Sequence, residues 1–256
     1  MGEDSTTLAD LADRQLRRDI VAGLLKPGQK LTAISLTKRY GIGASPLREA
    51  LSRLCADHLV LLEGKRGFTV AAISLADLDD VSRCRRLVEA EAVRLSVCSG
   101  DDLWESRVVA TFHRLERADK RVRQGTAPGD EEWEQRNRDF HAAVISACGS
   151  PWLTRLQHLL YIQHERYRRL SLCQRDPARD LLGEHRAIMQ GCLDRDPEAA
   201  VRLVSAHIDA TAAAVRAMLA QDFGASHEAR TGRRRPGTRA ADHGTSASPA
   251  LARRAS

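Results

Sequence analysis

The 256-residue sequence predicts a mostly α-helical protein: three helices and a small β-hairpin first, then an all-helical antiparallel bundle. Three observations carry this expectation. Along most of the chain apolar residues recur every three to five positions, the period of a buried helix face. The period changes once, at Leu59-Val60-Leu61-Leu62 and Phe68-Thr69-Val70, two short β-type runs around the turn-like Glu63-Gly64-Lys65-Arg66-Gly67. Glycine and proline breaks then divide the remainder into helix-length segments, as antiparallel neighbours require.

In order, Leu8, Leu11, Leu16, Ile20 and Leu24 form one stripe that Lys26-Pro27-Gly28 terminates. A second helix covers 33–40 and breaks at Gly41 and Gly43. The third is expected to start with Ser45 as N-cap and Pro46 at the first helical position, with Glu49 in the first turn complementing the dipole. Leu47, Leu51 and Leu54 give it an apolar face, and it ends near Asp57-His58. Ser74 caps the next segment, and helices are predicted over 77–98, 101–124, 131–147, 151–173, 177–194 and 197–221. Trp104, Trp133 and Trp152 read as packing anchors. From Gly224 the Arg/Gly/Ser/Ala/Pro mixture lacks an apolar face and is expected to be disordered. The domain boundaries follow as 1–73, 74–223 and 224–256.

Charge is unevenly placed. The chain carries a net +6, yet residues 14–73 hold 11 basic against 4 acidic side chains, and residues 224–256 hold 7 against 2. Both ends suit a polyanion. No run of apolar residues is long enough for a membrane span, and the first 30 residues lack the core of a signal peptide, so a cytoplasmic location is expected. The six cysteines, Cys55, Cys84, Cys98, Cys148, Cys173 and Cys192, are scattered without a Cys-x-x-Cys pair, which suggests reduced packing thiols rather than a disulfide framework or thiolate zinc site.

Three helices with a glycine-containing turn before the third, then a basic hairpin, is the layout of a winged helix-turn-helix. The third helix of such a unit enters the major groove and the wing touches the backbone or minor groove. Ser45, Arg48, Arg53, Lys65 and Arg66 occupy those places. Arg48 has the fork geometry for a guanine edge or a phosphate; Lys65 and Arg66 suit phosphates. Taken singly, each is equally a solvated surface charge, and only the joint placement points to double-stranded DNA.

The strings Leu24-Leu25-Lys26-Pro27-Gly28-Gln29-Lys30-Leu31, Ser45-Pro46-Leu47-Arg48-Glu49-Ala50-Leu51-Ser52-Arg53-Leu54 and Lys65-Arg66-Gly67-Phe68-Thr69-Val70 resemble the GntR family of bacterial transcription regulators. The family often has arginine where this chain has Ala44, and glycine where it has His58. The resemblance implies a homodimer on a short palindromic operator, most members being repressors.

In the bundle, Asn137 and His141 lie four apart on one helix face, and two later helices contribute His185 and His207. Three imidazoles and an amide oxygen can hold a divalent transition metal with positions left open for a ligand. Equally, histidines beside an apolar face are commonly hydrogen-bonded core residues. The Asn137-Arg138-Asp139-Phe140-His141 and Glu184-His185 strings, with Arg85-Arg86-Leu87-Val88-Glu89 before them, also resemble the FadR-type effector domain called FCD. That resemblance places metal ligands at Asn137, His141, His185 and His207, and imidazole ligation favours zinc, nickel or manganese over calcium or magnesium as the ion. Asparagine stands where aspartate is more common. It also implies a small organic acid effector that Arg85 can meet, although Arg85 and Glu89 read most simply as an i, i+4 ion pair. His113, His158, His164, His227 and His243 fall outside the pattern and are read as ordinary histidines.

Two other classes compete: a hydrolytic enzyme using the histidine-bound metal, and a non-sensing architectural DNA-binding protein. No general base, acyl-transfer triad or phosphate-cradling loop accompanies the proposed ligands, so no catalytic residue is expected.

Overall fold

The computed structural model describes residues 6–64, 67–124, 131–171 and 179–231. The wing-tip residues Lys65 and Arg66, Cys173 and the tail beyond 231 lie outside the described residues.

Helix α1 (Leu8–Val21) opens on a capping box in which the Thr7 hydroxyl accepts from the Asp10 N–H and the Asp10 carboxylate accepts from the Thr7 N–H. It stops earlier than the leucine stripe predicts. Gly23 adopts a positive φ of 73°, which turns Leu24 outward, 59% exposed, and buries Leu25 instead. Helix α2 (Ala33–Tyr40) ends at the left-handed Gly41, and α3 (Ala44–Ala56) follows.

The start of α3 corrects the expected cap. Gly43 is the N-cap and makes no side-chain cap bond; Ser45 is the second helical residue and Pro46 the third. Proline costs nothing there, because the first N–H groups of a helix have no intrahelical acceptor in any case. Glu49 therefore lies beyond the first turn, where it pairs with Arg53 rather than with the dipole.

The predicted hairpin is present as β2 (Val60–Leu62) and β3 (Phe68–Val70), with Val60 opposite Val70 and Leu62 opposite Phe68. A third strand, β1 (Lys30–Leu31), adds to the other edge of β3, giving the antiparallel order β1-β3-β2. Two residues carry no readable alternation, so this strand escapes sequence inspection. Leu16, Ile20, Leu47, Leu51, Leu54, Leu59 and Val70 form the core beneath.

The remaining helices are α4 (Leu75–Ser99), α5 (Asp102–Arg123), α6 (Glu131–Val144), α7 (Pro151–Ser171), α8 (Leu181–Leu193) and α9 (Pro197–Thr231). Ser74 caps α4 as expected, accepting from Asp77. Asp180 caps α8, accepting from the Gly183 N–H, so α8 begins at Leu181 rather than at the predicted 177. The backbone of α9 continues ten residues past the predicted end at 221, through Ala225, Glu228, Ala229 and Arg230, residue types compatible with helix, where disorder was expected from Gly224. Contacts divide the chain into 1–220 and 221–256.

Trp104 and Trp133 are buried anchors of the bundle core, and the Trp104 indole donates to the Ala143 carbonyl at 3.0 Å. Gly100 makes room for it: a Cβ there would meet the Trp104 ring at 2.3 Å. Trp152 is no anchor, being 70% exposed beside the Arg155 guanidinium. Its position next to Pro151 in the first turn of α7 directs it away from the core stripe. The described cysteines are free thiols, with Cys148 and Cys192 buried.

Candidate metal centre and nucleic-acid interface

Helical period alone aligns the central residues. On α6, Trp133, Asn137, Phe140, His141 and Val144 are buried at spacings of three and four; α8 presents His185, Ile188 and Cys192, and α9 presents Val204, His207, Ile208 and Thr211. His141, His185 and His207 therefore converge. One ligand nitrogen from each lies within 4.8 Å of the other two, and the ring centroids are 4.7 to 5.4 Å apart. Phe140 meets His141 and His185 edge-on, at 5.6 and 5.5 Å, and Trp133 meets His185 at 6.5 Å, so aromatic rings wall one side of the triad.

All three imidazoles are held below the usual histidine range, first by burial and then, for His141 and His185, by the repulsion that a proton there would meet from the other imidazoles of the triad and the nearby arginines. They are thus neutral with lone pairs to offer. His207 is additionally oriented, because its Nδ1 lies 2.8 Å from Glu184, which leaves Nε2 as its ligand nitrogen. Arg179 grips the same carboxylate at 2.6 and 2.7 Å and bonds Thr211 at 2.9 Å. Although burial alone would raise it, these partners lower the Glu184 carboxyl to about 2.

Asn137 donates through Nδ2 to the Tyr161 hydroxyl at 2.8 Å, while its Oδ1 is buried without a hydrogen-bond partner. His185 Nε2 is likewise buried and unpartnered. Buried polar atoms in folded proteins are nearly always satisfied. Two orphan lone pairs beside an imidazole triad are the donor set a borderline divalent metal takes, so the residues fit such an ion.

Arg85 and Glu89 form the expected i, i+4 pair, with Nε 2.7 Å from Oε1, but it is a buried pair rather than a surface one. Arg85 Nη2 lies at the same distance from that oxygen without hydrogen-bond geometry and is otherwise unpartnered. The guanidinium sits 4.9 Å from the centroid of the Tyr161 ring, so Arg85 and Asn137 meet the same tyrosine. Four groups here escaped sequence reading. Glu184 stood next to a predicted ligand yet serves a different histidine; Tyr161, His164 and Arg168 repeat at three and seven residues along one face of α7, a polar stripe that was the available signal.

On the N-terminal unit, Ser45 and Arg48 are exposed on α3. Arg48 makes no side-chain hydrogen bond or ion pair among the described residues, which leaves its fork open to solvent. Arg53 differs: it is exposed but bonded to Asp10 and Glu49, each at 2.6 Å, so it braces α1 against α3.

Residues 8–70 match the family described as "Bacterial regulatory proteins, gntR family", and residues 80–210 match the FCD domain. The fold and its two parts define a helix-turn-helix transcription regulator with a helical companion domain. The chain is 42% identical to the HTH-type transcriptional regulator BphR of Paraburkholderia xenovorans, over 82% of this chain and 86% of that protein. It is 33% identical to the HTH-type transcriptional repressor GlaR of Escherichia coli, over 76% and 90%. Among solved structures, Escherichia coli McbR/YncC shares the fold with a TM-score of 0.70 at 22% identity, covering 82% of this chain and 97% of that one. The protein belongs to the GntR family of DNA-binding transcription regulators, with an FCD domain at its C-terminal side, and not to an enzyme family. No helix among the described residues is long and apolar enough to cross a membrane.

Proposed function

We propose that the chain is a homodimeric repressor whose residues 1–73 bind an operator and whose residues 74–223 release it when a small carboxylate binds beside a metal held by Asn137, His141, His185 and His207. The observation that carries this reading is the buried triad with the orphan Asn137 Oδ1 and His185 Nε2 at its edge. A divalent transition metal there supplies positive charge and open positions for a carboxylate oxygen. Glu184 fixes the His207 tautomer, the aromatic rings wall one side of the triad, and Arg85 offers a second cation to the ligand. Ser45 and Arg48 face the DNA, with Lys65 and Arg66 as backbone contacts from the wing. The name of the GlaR relative supports repression as the sign of control.

Elemental analysis of protein purified without chelator tests the centre. Near-stoichiometric zinc, nickel or manganese is expected in the wild type, with loss of metal and of effector-driven DNA release in His141→Ala and His185→Ala. A metal-free wild type that still releases DNA on adding an effector would overturn it.

A further inference from the structure

The proposed centre uses the lone pairs of Asn137 and His185 but leaves another buried group with nothing to do. His164, on α7, is wholly inaccessible, and neither Nδ1 nor Nε2 has a hydrogen-bond partner. A leucine or phenylalanine would fill that volume without the desolvation cost that unmet polar atoms carry. Its neighbours on the same face of α7 border the histidine triad. Tyr161, one turn earlier, has its ring 5.6 Å from His141 and 4.9 Å from the Arg85 guanidinium; Arg168, one turn later, lies 5.6 Å from the same ring. Burial first, then the Arg85 and Arg168 charges, keep the imidazole neutral. A neutral imidazole presents one donor and one acceptor. A hydroxyl is also both, whereas a second carboxylate only accepts.

We propose that His164 is a specificity-determining residue of the effector cavity, reading a hydroxyl group on a short hydroxycarboxylate whose carboxyl end lies at the histidine triad and Arg85. This rests on the carboxylate reading above. His164 then distinguishes a hydroxy acid from the plain acid of equal length, because the plain acid leaves both ring nitrogens unmet.

The test is calorimetric titration of the zinc-loaded full chain with butyrate, with 2-, 3- and 4-hydroxybutyrate, and with succinate. The wild type is expected to bind one hydroxybutyrate roughly tenfold more tightly than butyrate, as one well-placed hydrogen bond allows. In His164→Leu that preference should shrink to about twofold or less, with zinc content and butyrate affinity unchanged. His164→Gln, which keeps a donor and an acceptor, should recover part of it. In ¹⁵N-histidine spectra the His164 ring nitrogens should move with the hydroxy acid and not with butyrate. A preference that survives in His164→Leu overturns the inference while leaving the carboxylate site standing. Succinate binding more tightly than every hydroxybutyrate, in a His164-dependent way, overturns the hydroxyl assignment. If none of these acids binds zinc-loaded wild type, the short-carboxylate reading itself fails and the inference with it.

Discussion

Arg48 and His58 show how differently single residues bear on this protein. Arg48 is exposed in the first half of α3 with no side-chain partner among the described residues, so its removal leaves their packing untouched. Arg48→Ala should keep helicity and dimerisation and lose about 1–3 kcal/mol of operator binding. Fluorescence anisotropy at matched salt decides it, and wild-type affinity in the variant would mean that α3 does not read the operator. His58 is a matter of backbone. It sits past the Asp57 C-cap of α3 with φ 56°, where its N–H bonds the Cys55 carbonyl and the next N–H, of Leu59, bonds the Leu54 carbonyl. That is a Schellman motif, whose left-handed residue is usually glycine. The family's glycine, replaced here by His58, therefore has a conformational reason that the sequence shows only as a departure. His58→Gly should stabilise the chain by about 1 kcal/mol by relieving the side-chain clash. A thermal midpoint unchanged or lowered, rather than raised by about 2–4 °C, would contradict this.

Helix α7 is the element that makes the two parts one machine. One face of it sets the Tyr161 ring beside His141 and Arg168 beside that ring, where Arg168 pairs with the buried Glu134. Its other side grips the DNA-binding unit. Ile162 joins the N-terminal core, Gln163 donates to the Asp57 carbonyl at 2.5 Å, and Arg166 donates to the Ala71 carbonyl at 2.7 Å while bonding Gln163. Asp57 closes α3, so α7 holds the end of the recognition helix directly. A shift of α7 on ligand binding has a short mechanical route to DNA. Gln163→Ala should leave metal content intact and reduce the coupling between effector and operator, typically 1–3 kcal/mol, towards zero. Operator affinity with and without saturating effector measures this; undiminished release in the variant would route coupling elsewhere. None of this was legible beforehand. Periodicity located α4, α5 and α7 closely because their faces are continuous, but it cannot tell which helix a given face meets. The histidines at 141, 185 and 207 were legible because local strings marked them. His164 was not, since no local string marks it and only the polar spacing along α7 hinted at a buried imidazole without partners.

At the scale of the whole molecule, the cavity makes stability depend on pH. In the metal-free chain His141, His164 and His185 lie well below the ordinary value of 6.5 and His207 lies below it, burial being the first cause in each. The unfolded chain titrates these imidazoles near 6.5, so below that pH it takes up protons that the folded chain refuses. Stability rises with pH wherever the unfolded state holds more protons. Their contribution is therefore complete above pH 6.5 and is lost as pH falls towards the folded values. Each unprotonated histidine adds a slope of about 1.4 kcal/mol per pH unit. Glu184, lowered to about 2 in the fold, adds a separate loss only below its ordinary 4.5. Urea unfolding of metal-stripped protein from pH 7.5 to 5 should show stability falling below pH 6.5 with the slope of several protons, and His164→Leu should remove one of them. Zinc should oppose the loss, because it binds the same lone pairs that protons seek and must be displaced before the imidazoles charge. A flat stability profile across that interval would mean that these side chains accept protons in the folded state, and hence that the burial of the four imidazoles does not hold them neutral.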